Sequence, residues 1–410
     1  MTQPITELRV GLDFGSEIQA VGRLAIRDHI IYFEYANAFV QKGIEISPVR
    51  LPLQKGVIEL PQRPFEGLSG VFNDSVPDGW GRLLFDRLLR SQSILPPSQS
   101  PLDRLAHVGL YGMEALVYEP DNSPSNSQEF LDLDNLASQT EEVLQGSSEE
   151  ILKELLALNG SSACACPKAL IAVNHNRKQI TFGAKKLNEG LEPWLVKFPN
   201  AMDGYDAGAV EYVYALMAKS AGVIMPEAHL FSSHKGAGYF GVKRFDRDGN
   251  KRLHMHTASG LLHSDFRTPS MDYEDLLNLT AALTKDIREV EKMYRLAVFN
   301  VLSHNRDDHA KNFSFLLDET GEWKLAPGYD LTFSSGPSGE QSTMVMGEGR
   351  DPKTSHLVKL GRGSKLTKKL IDEIIDQTKS SLAHWTGLAQ KHNITKTNIK
   401  LITNAINFSN

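Results

Sequence analysis

The densest chemistry in the chain lies in nine consecutive residues, His304-Asn305-Arg306-Asp307-Asp308-His309-Ala310-Lys311-Asn312. Eight of the nine are polar, and they follow a long apolar stretch that ends near Ser303. Polar groups beside a buried helix are costly unless they are paired or used. A capped, solvated turn would explain a lone Asp-His pair, but the segment that follows argues for use. Phe313–Leu317 is strand-like, Asp318-Glu319-Thr320-Gly321 reads as a turn, and Trp323–Ala326 is strand-like again. Folded as a hairpin about Thr320, the segment sets position 312 opposite about 328 and Asp330 opposite about 310. Asp330 then stands beside Asp307 and Asn312. Two carboxylates and an amide make a hard-oxygen cluster, which suits magnesium or manganese better than zinc.

Phosphoryl transfer needs this set. One Asp orients or deprotonates the attacking hydroxyl, while the Asn and the second Asp hold Mg²⁺ on nucleotide phosphates. The step from Asp307 to Asn312 matches the Asp-x4-Asn spacing of the protein-kinase catalytic loop. Arg306 precedes Asp307 as it does there, Asn305 replaces the usual His, and Tyr329-Asp330-Leu331 replaces Asp-Phe-Gly. A cation for the phosphates belongs upstream. Trp194-Leu195-Val196-Lys197-Phe198 is an apolar strand with one lysine, and Glu211 lies on the next expected helix, where it can pair with Lys197. The alternative is an edge lysine that points to water. Gly160-Ser161-Ser162-Ala163-Cys164-Ala165-Cys166-Pro167-Lys168 is a small-residue loop before a strand. Small residues let backbone N–H groups approach phosphate oxygens, and Lys168 adds charge. A plain turn would have the same composition.

Those groups need elements to hold them. At 410 residues the chain is too long for one ordinary domain. With 41% apolar and 23% charged residues it has globular composition. A net charge of −6 disfavours nucleic-acid binding by the whole surface. Two cysteines cannot staple a secreted scaffold of this size, and they offer no second pair for a metal. The start lacks the pattern of a signal peptide, and no apolar run approaches the roughly 18 residues of a membrane span, so no membrane partner and a cytoplasmic location are expected. Strands are expected at Leu8–Phe14, Gln19–Ile26, Ile30–Tyr35, Ala169–Val173, Gln179–Phe182, Leu195–Phe198, Ala228–Phe231 and Tyr239–Phe245. Helices are expected at Trp80–Leu89, Ala209–Ser220, Tyr273–Leu283, Ile287–Ser303, Leu366–Gln377, Ser381–Lys391 and Thr395–Ile406. Glu129 to Glu154 holds eight acids against one base, Lys153, and reads as a solvated stretch with one or two amphipathic helices. The expected units are a β-rich segment 1–120, an acidic and polar connection 121–160, a small lobe 161–250 and a helical lobe 251–410.

These motifs resemble the HipA family, the serine/threonine kinase toxins of bacterial toxin–antitoxin modules. The resemblance rests on Asn305-x-Asp307-x-His309-x-Lys311-Asn312-x-Ser314 and on Leu325-Ala326-Pro327-Gly328-Tyr329-Asp330-Leu331. It extends to Phe72-Asn73-Asp74 through Trp80-Gly81-Arg82, to Val108-Gly109 through Leu116, and to Lys243-Arg244-Phe245-Asp246-Arg247. It implies an α+β, two-lobed protein-kinase-like fold, with a β-rich N-terminal lobe, an extra N-terminal subdomain and a mainly helical C-terminal lobe. By the same resemblance Asp307 is the catalytic base and Asn312 and Asp330 hold Mg²⁺. ATP would meet Ala163, Cys164, Ala165, Cys166, Pro167, Lys168, Lys197, Lys243, Arg244, Phe245, His309 and Lys311, with Glu211 in support. Ser161 falls at the family's autophosphorylated serine. The implied partners are a small helix-turn-helix antitoxin like HipB and a protein substrate concerned with translation, such as an aminoacyl-tRNA synthetase. DNA is reached only indirectly, through the antitoxin. The loop departs from the family in having Ala163-Cys164 where Gly or Ala-Gly is usual, and loss of glycine restricts the backbone. That departure leaves open a nucleotide-binding interaction module without transfer that acts as a co-repressor; a metal-dependent phosphohydrolase using the same Asp and His cluster is a third reading, against which the strand Lys197 argues.

Overall fold

The computed structural model describes residues 4–124, 130–145, 149–159, 166–182, 187–200, 204–268 and 270–406. The chain opens on a five-stranded sheet of order β4-β3-β2-β1-β5. Its strands are β1 (Glu7–Asp13), β2 (Ile18–Arg27), β3 (Ile30–Tyr35), β4 (Val57–Glu59) and β5 (Leu116–Glu119). Residues buried on β3 alternate with half-buried ones, as a strand covered on one side requires. Helices α1 (Asn37–Lys42), α2 (Gly70–Asn73), α3 (Trp80–Ser91) and α4 (Pro101–Val108) complete this region. α4 starts with a capping box, in which Ser100 and Asp103 satisfy each other's backbone N–H, and with Pro101 at its first position. No helix was expected there.

Helices α5 (Leu133–Gln145) and α6 (Glu149–Asn159) lead into a second five-stranded sheet of order β7-β6-β8-β10-β9. It comprises β6 (Lys168–Asn174), β7 (Ile180–Phe182), β8 (Leu191–Lys197), β9 (Ala228–Phe231) and β10 (Tyr239–Lys243), with α7 (Ala207–Ser220) between β8 and β9. The acidic stretch proves to be part of a core. Leu133, Leu136, Val143, Leu152, Leu155 and Leu156 pack with Trp80, Leu84 and Leu88 of α3 and with Trp194 and Val196 of β8. Among the acids, Asp134 accepts from Tyr239 Oη at 2.7 Å, Glu154 accepts from Gln139 Nε2 at 2.9 Å and Glu142 is exposed, so a charge count hid the apolar spacing of the same helices. α3, within the first 120 residues, thus shares a core with the second sheet rather than with the first.

The rest is the helical lobe. A ribbon of β11 (Arg247–Asp248) and β12 (Lys251–Arg252) precedes β13 (His254–Thr257) and α8 (Ala258–Leu262). β14 (Met271–Asp272) runs parallel to β17 (Thr343–Met344). The large core gathers α9 (Tyr273–Thr284), α10 (Ile287–Leu302), α11 (Thr354–Gly363), α12 (Lys368–Leu382), α13 (Trp385–Lys391) and α14 (Lys396–Ile406). The expected hairpin is present as β15 (Ser314–Leu317) and β16 (Trp323–Leu325). Its register pairs Phe315 with Leu325 and Leu317 with Trp323, the register expected of a turn at Thr320; the ladder closes at Ser314 and Ala326, and Ala310–Asn312 form a short 3-10 turn before it. β13 adds a third strand beside β15, with His256 opposite Phe315. No helix of the described residues is long and apolar enough to cross a membrane.

Candidate active site

α10 delivers the polar loop. Asp286 caps its start by accepting from the Arg288 N–H at 2.9 Å. Its buried face includes Met293, Leu296, Ala297 and Phe299. The helix ends at Leu302, and His304 turns the chain in a left-handed conformation with φ of 59°. Asn312 then donates its Nδ2 to the Asp307 carbonyl at 2.8 Å. That bond fixes the amide, leaving Oδ1 as its unused acceptor among the described residues. Asp330 follows the hairpin with φ of 58°, a conformation that Asp tolerates better than most residues and that marks functional turns.

The small lobe supplies the cations. Lys197 ends β8, and its Nζ lies 2.6 Å from Glu211 Oε1 on α7 and also contacts Asp330 Oδ1. Its side chain is 14% exposed, so the edge-lysine alternative fails. Lys168 is buried at the start of β6 and pairs in register with Lys197. Cross-strand partners of like charge repel, and Glu211 and Asp330 offset that repulsion. Burial opposes ionisation of Asp330, but Lys197 and Lys168 hold its carboxyl at about 2. Asp307 is exposed to the cleft and makes no hydrogen bond through its carboxylate to the described residues. Burial and the neighbouring Asp330 raise its pKa against the pull of His309 and Lys197. A carboxylate raised toward the working pH is the better general base.

These groups line one cleft of about 730 Å³, together with Leu195, Met225, Phe240, Val242 and Met255. Its size and apolar walls suit a nucleotide. Cys166, Phe245, His309 and Lys311 also face it. Lys243 and Arg244 line it too, but their cations are engaged elsewhere, by Glu192 at 2.6 Å and by Asp246 at 2.5 Å. The Pro167 carbonyl accepts from the Phe198 N–H at 2.8 Å, tying the loop end to β8. Ser161, Ala163, Cys164 and Ala165 lie outside the described residues. Among the described residues no three His, Cys, Asp or Glu side chains form a metal cage. The donors present are two carboxylates and an oriented amide. That set fits Mg²⁺, which takes one or two carboxylates and completes its shell with water and substrate phosphates.

Sequence reasoning passed over several residues here. Asp308 is buried and accepts from Tyr273 Oη at 2.6 Å, Gln341 Nε2 at 2.9 Å and the Ser342 N–H at 3.0 Å. Burial pushes its carboxyl up to about 7, while Tyr273 and the Thr343 N–H pull the other way. It pins the segment after Asp330 beneath the loop from His304 to Asn312, and Arg306 does the same through the carbonyls of Gly339 and Arg350. Tyr329 donates to the Lys311 carbonyl at 2.6 Å and accepts from Ser314 Oγ at 2.6 Å. Asp74 and Asp78 reach the cleft from the N-terminal region. The polar run Asn73-Asp74-Ser75 and the turn Pro77-Asp78-Gly79, set between apolar segments, were the available signal.

A HipA-like C-terminal domain matches residues 160–385, more than half of the chain, and a HipA N-terminal domain matches residues 15–119. The chain belongs to the HipA family. Among solved structures, this HipA-family chain aligns with a chain of the Shewanella oneidensis MR-1 toxin–antitoxin complex of HipA, HipB and operator DNA. The TM-score is 0.69 at 16% identity, over 97% of this chain and 94% of that one. A Helicobacter pylori proinflammatory kinase, CtkA, aligns over 57% of this chain and 95% of its own at 12% identity, with a TM-score of 0.31. The HipA match supports the two-lobed fold, and the lining residues set the cleft between the second sheet and the helical lobe.

Proposed function

We propose that this HipA-family chain is an ATP-dependent protein kinase, the toxin of a module whose antitoxin is a small helix-turn-helix protein like HipB. The observation that carries this is Lys197, held between Glu211 and Asp330 at the mouth of β8, with Asp307 and Asn312 on the facing loop of the same cleft. In this reading a serine or threonine hydroxyl of the substrate attacks the γ-phosphorus of ATP. Its proton passes to the Asp307 carboxylate, the bond from phosphorus to the ADP oxygen breaks, and ADP leaves. Lys197 and Lys168 meet the phosphates. Asn312 Oδ1 and Asp330 would hold Mg²⁺, which when bound neutralises phosphate charge. The same reading assigns residues 1–120 to the extra subdomain, 161–250 to the small lobe and 251–410 to the large one, with autophosphorylation at Ser161. The antitoxin contact and any link to DNA rest on the family and on the partners of the Shewanella protein.

Purified protein with labelled ATP and Mg²⁺ tests the proposal. Label is expected on the chain itself and on lysate proteins, and Asp307→Asn is expected to lose about 10²–10⁴-fold in rate. Normal labelling by that variant would remove Asp307 from its role. Nucleotide-dependent thermal stabilisation of the wild type with no transfer would instead favour the interaction-module reading, which the Ala163-Cys164 departure motivates.

A further inference from the structure

We propose that Asp78, carried by the N-terminal subdomain, is a positioning residue for the catalytic loop: it fixes Lys311 and thereby the backbone between Asp307 and Asn312. The functional consequence rests on the kinase reading above, while the geometry stands by itself. Asp78 sits in the turn Pro77-Asp78-Gly79. Gly79 has φ of 50°, which suits a residue without a Cβ, and its N–H donates to Asp78 Oδ1 at 2.8 Å. That bond aims the other oxygen, Oδ2, which accepts from Lys311 Nζ at 2.8 Å across 233 residues of sequence. The Lys311 side chain is 7% exposed and the Asp78 side chain 16%, so water does not dissolve the pair. The ammonium also lies 4.7 Å from the centre of the Phe266 ring, which the Arg267 guanidinium approaches to 4.6 Å and the His309 ring to 5.1 Å.

Besides the ties that Asp308 and Arg306 make to the segment after Asp330, three bonds bear on the stretch from Asp307 to Asn312. The Lys311 carbonyl accepts from Tyr329, the Asp307 carbonyl from Asn312, and the Lys311 side chain is held by Asp78. The last of these comes from the N-terminal subdomain, outside the kinase-like lobes. The subdomain that provides it cannot drift. A Cβ on Gly70 of α2 would come within 2.0 Å of the Gly260 carbonyl oxygen on α8, so the two backbones are in direct contact. Asp74 accepts from His256 Nδ1 at 2.6 Å and from Thr257 N–H and Oγ1 at 2.8 and 2.9 Å. A fixed carboxylate aimed at a buried lysine is a strut. It also changes what Lys311 does, since an ammonium already bonded to Asp78 serves the loop before it serves a phosphate.

Asp78→Asn and Asp78→Glu in the full chain test this. For Asp78→Asn, kcat is expected to fall about 10-fold while KM for ATP stays within about twofold, since small misplacements near the reacting groups cost rate rather than binding. Amide hydrogen exchange in peptides spanning residues 305–313 is expected to quicken. Asp78→Glu is expected to restore most of both. Unchanged exchange at 305–313 in Asp78→Asn overturns the proposal, as does a rise in KM with kcat intact. If the wild type transfers no phosphate, the kinase reading falls, and the exchange measurement alone then decides the role of Asp78.

Discussion

Asp246 and Asp330 are both carboxylates enclosed by cations, and the contrast between their surroundings separates a fold-making cluster from a ligand-binding one. Asp246 lies where β10 leaves the second sheet. Arg244 donates to both of its oxygens at 2.9 and 2.5 Å, and Arg247 and the Glu114 N–H complete Oδ2 at 2.7 and 3.0 Å. Around it Arg252 reaches Asp13 and the Glu114 carbonyl, and Glu114 binds His254 at 2.5 Å and Ser75 at 2.6 Å. These bonds join the first sheet to β12 and β13. Burial opposes ionisation of Asp246, yet Arg244 and Arg247 hold its carboxyl far below the usual range. Every acceptor there is filled from within the protein. At Asp330 one oxygen meets Lys197, while Asp307 and the Asn312 oxygen are left without partners among the described residues. A saturated charge cluster spends its bonding on the fold, and an unsaturated one facing a cleft keeps it for a ligand.

The largest effect expected from this contrast is on stability at the saturated site. Asp246→Asn leaves Arg244 and Arg247 facing a neutral amide in a buried position, and removal of one partner from such a group typically costs about 3–5 kcal/mol. Urea unfolding of the variant should show a loss of that order. An unfolding free energy equal to that of the wild type would break the comparison, because it would mean that the cluster contributes nothing to the fold.

A smaller effect follows from His254. Its Nδ1 faces the Glu114 carboxylate and its Nε2 faces the Ile46 carbonyl at 2.9 Å, so the doubly protonated ring satisfies both acceptors. Burial works against the charged form, but Glu114 and the Ile46 carbonyl raise the pKa above its ordinary 6.5. A histidine raised in the folded state gives stability that is fully present below the unfolded value and is lost as pH climbs through the folded one. Unfolding free energy should therefore decline above pH 6.5, by about 1.4 kcal/mol per pH unit until the folded pKa is passed. His254→Gln should be less stable at pH 6 and should lose this slope. Equal slopes in the two proteins between pH 6 and pH 8 would show that the ring is not charged in the fold.

What the sequence showed depended on how far apart the partners lie. The hairpin register follows from a turn at Thr320 and two short apolar runs, all within about twenty residues, and it was readable to the residue. Lys197 and Glu211 are 14 residues apart on consecutive elements, and an apolar strand with one lysine calls for a partner nearby. Asp78 and Lys311 are 233 residues apart, and Asp74 and His256 are 182 apart. The polar run at Asp74 and the turn at Asp78 mark the two carboxylates, but nothing local to them names a partner so far along the chain. β13 escaped notice because His254 and His256 look like solvated polar residues until Glu114 and Asp74 are brought to them. On α5 and α6 the signal was present and was masked, because a face of leucines at helical spacing sits behind a row of acids.

The smallest expected effect, and the sharpest for the contrast, is the stability of Asp307→Asn. Burial and the charge of Asp330 raise the Asp307 pKa, so the folded protein disfavours the ionised carboxylate more than the unfolded chain does. A raised carboxyl loses stability as pH rises from the unfolded pKa near 3.9 through the folded one, and the cost is fully present once the folded one is passed. An amide cannot ionise, and it removes the repulsion from Asp330. Because Asp307 is open to the cleft, water screens much of the interaction, and the expected gain is only ~1–2 °C in Tm. Asp307→Asn should thus melt no lower than the wild type, the reverse of Asp246→Asn. Calorimetry near pH 7 without nucleotide or divalent metal makes the measurement. A clear drop in Tm would place Asp307 among the groups that hold the fold and would erase the distinction between the two clusters.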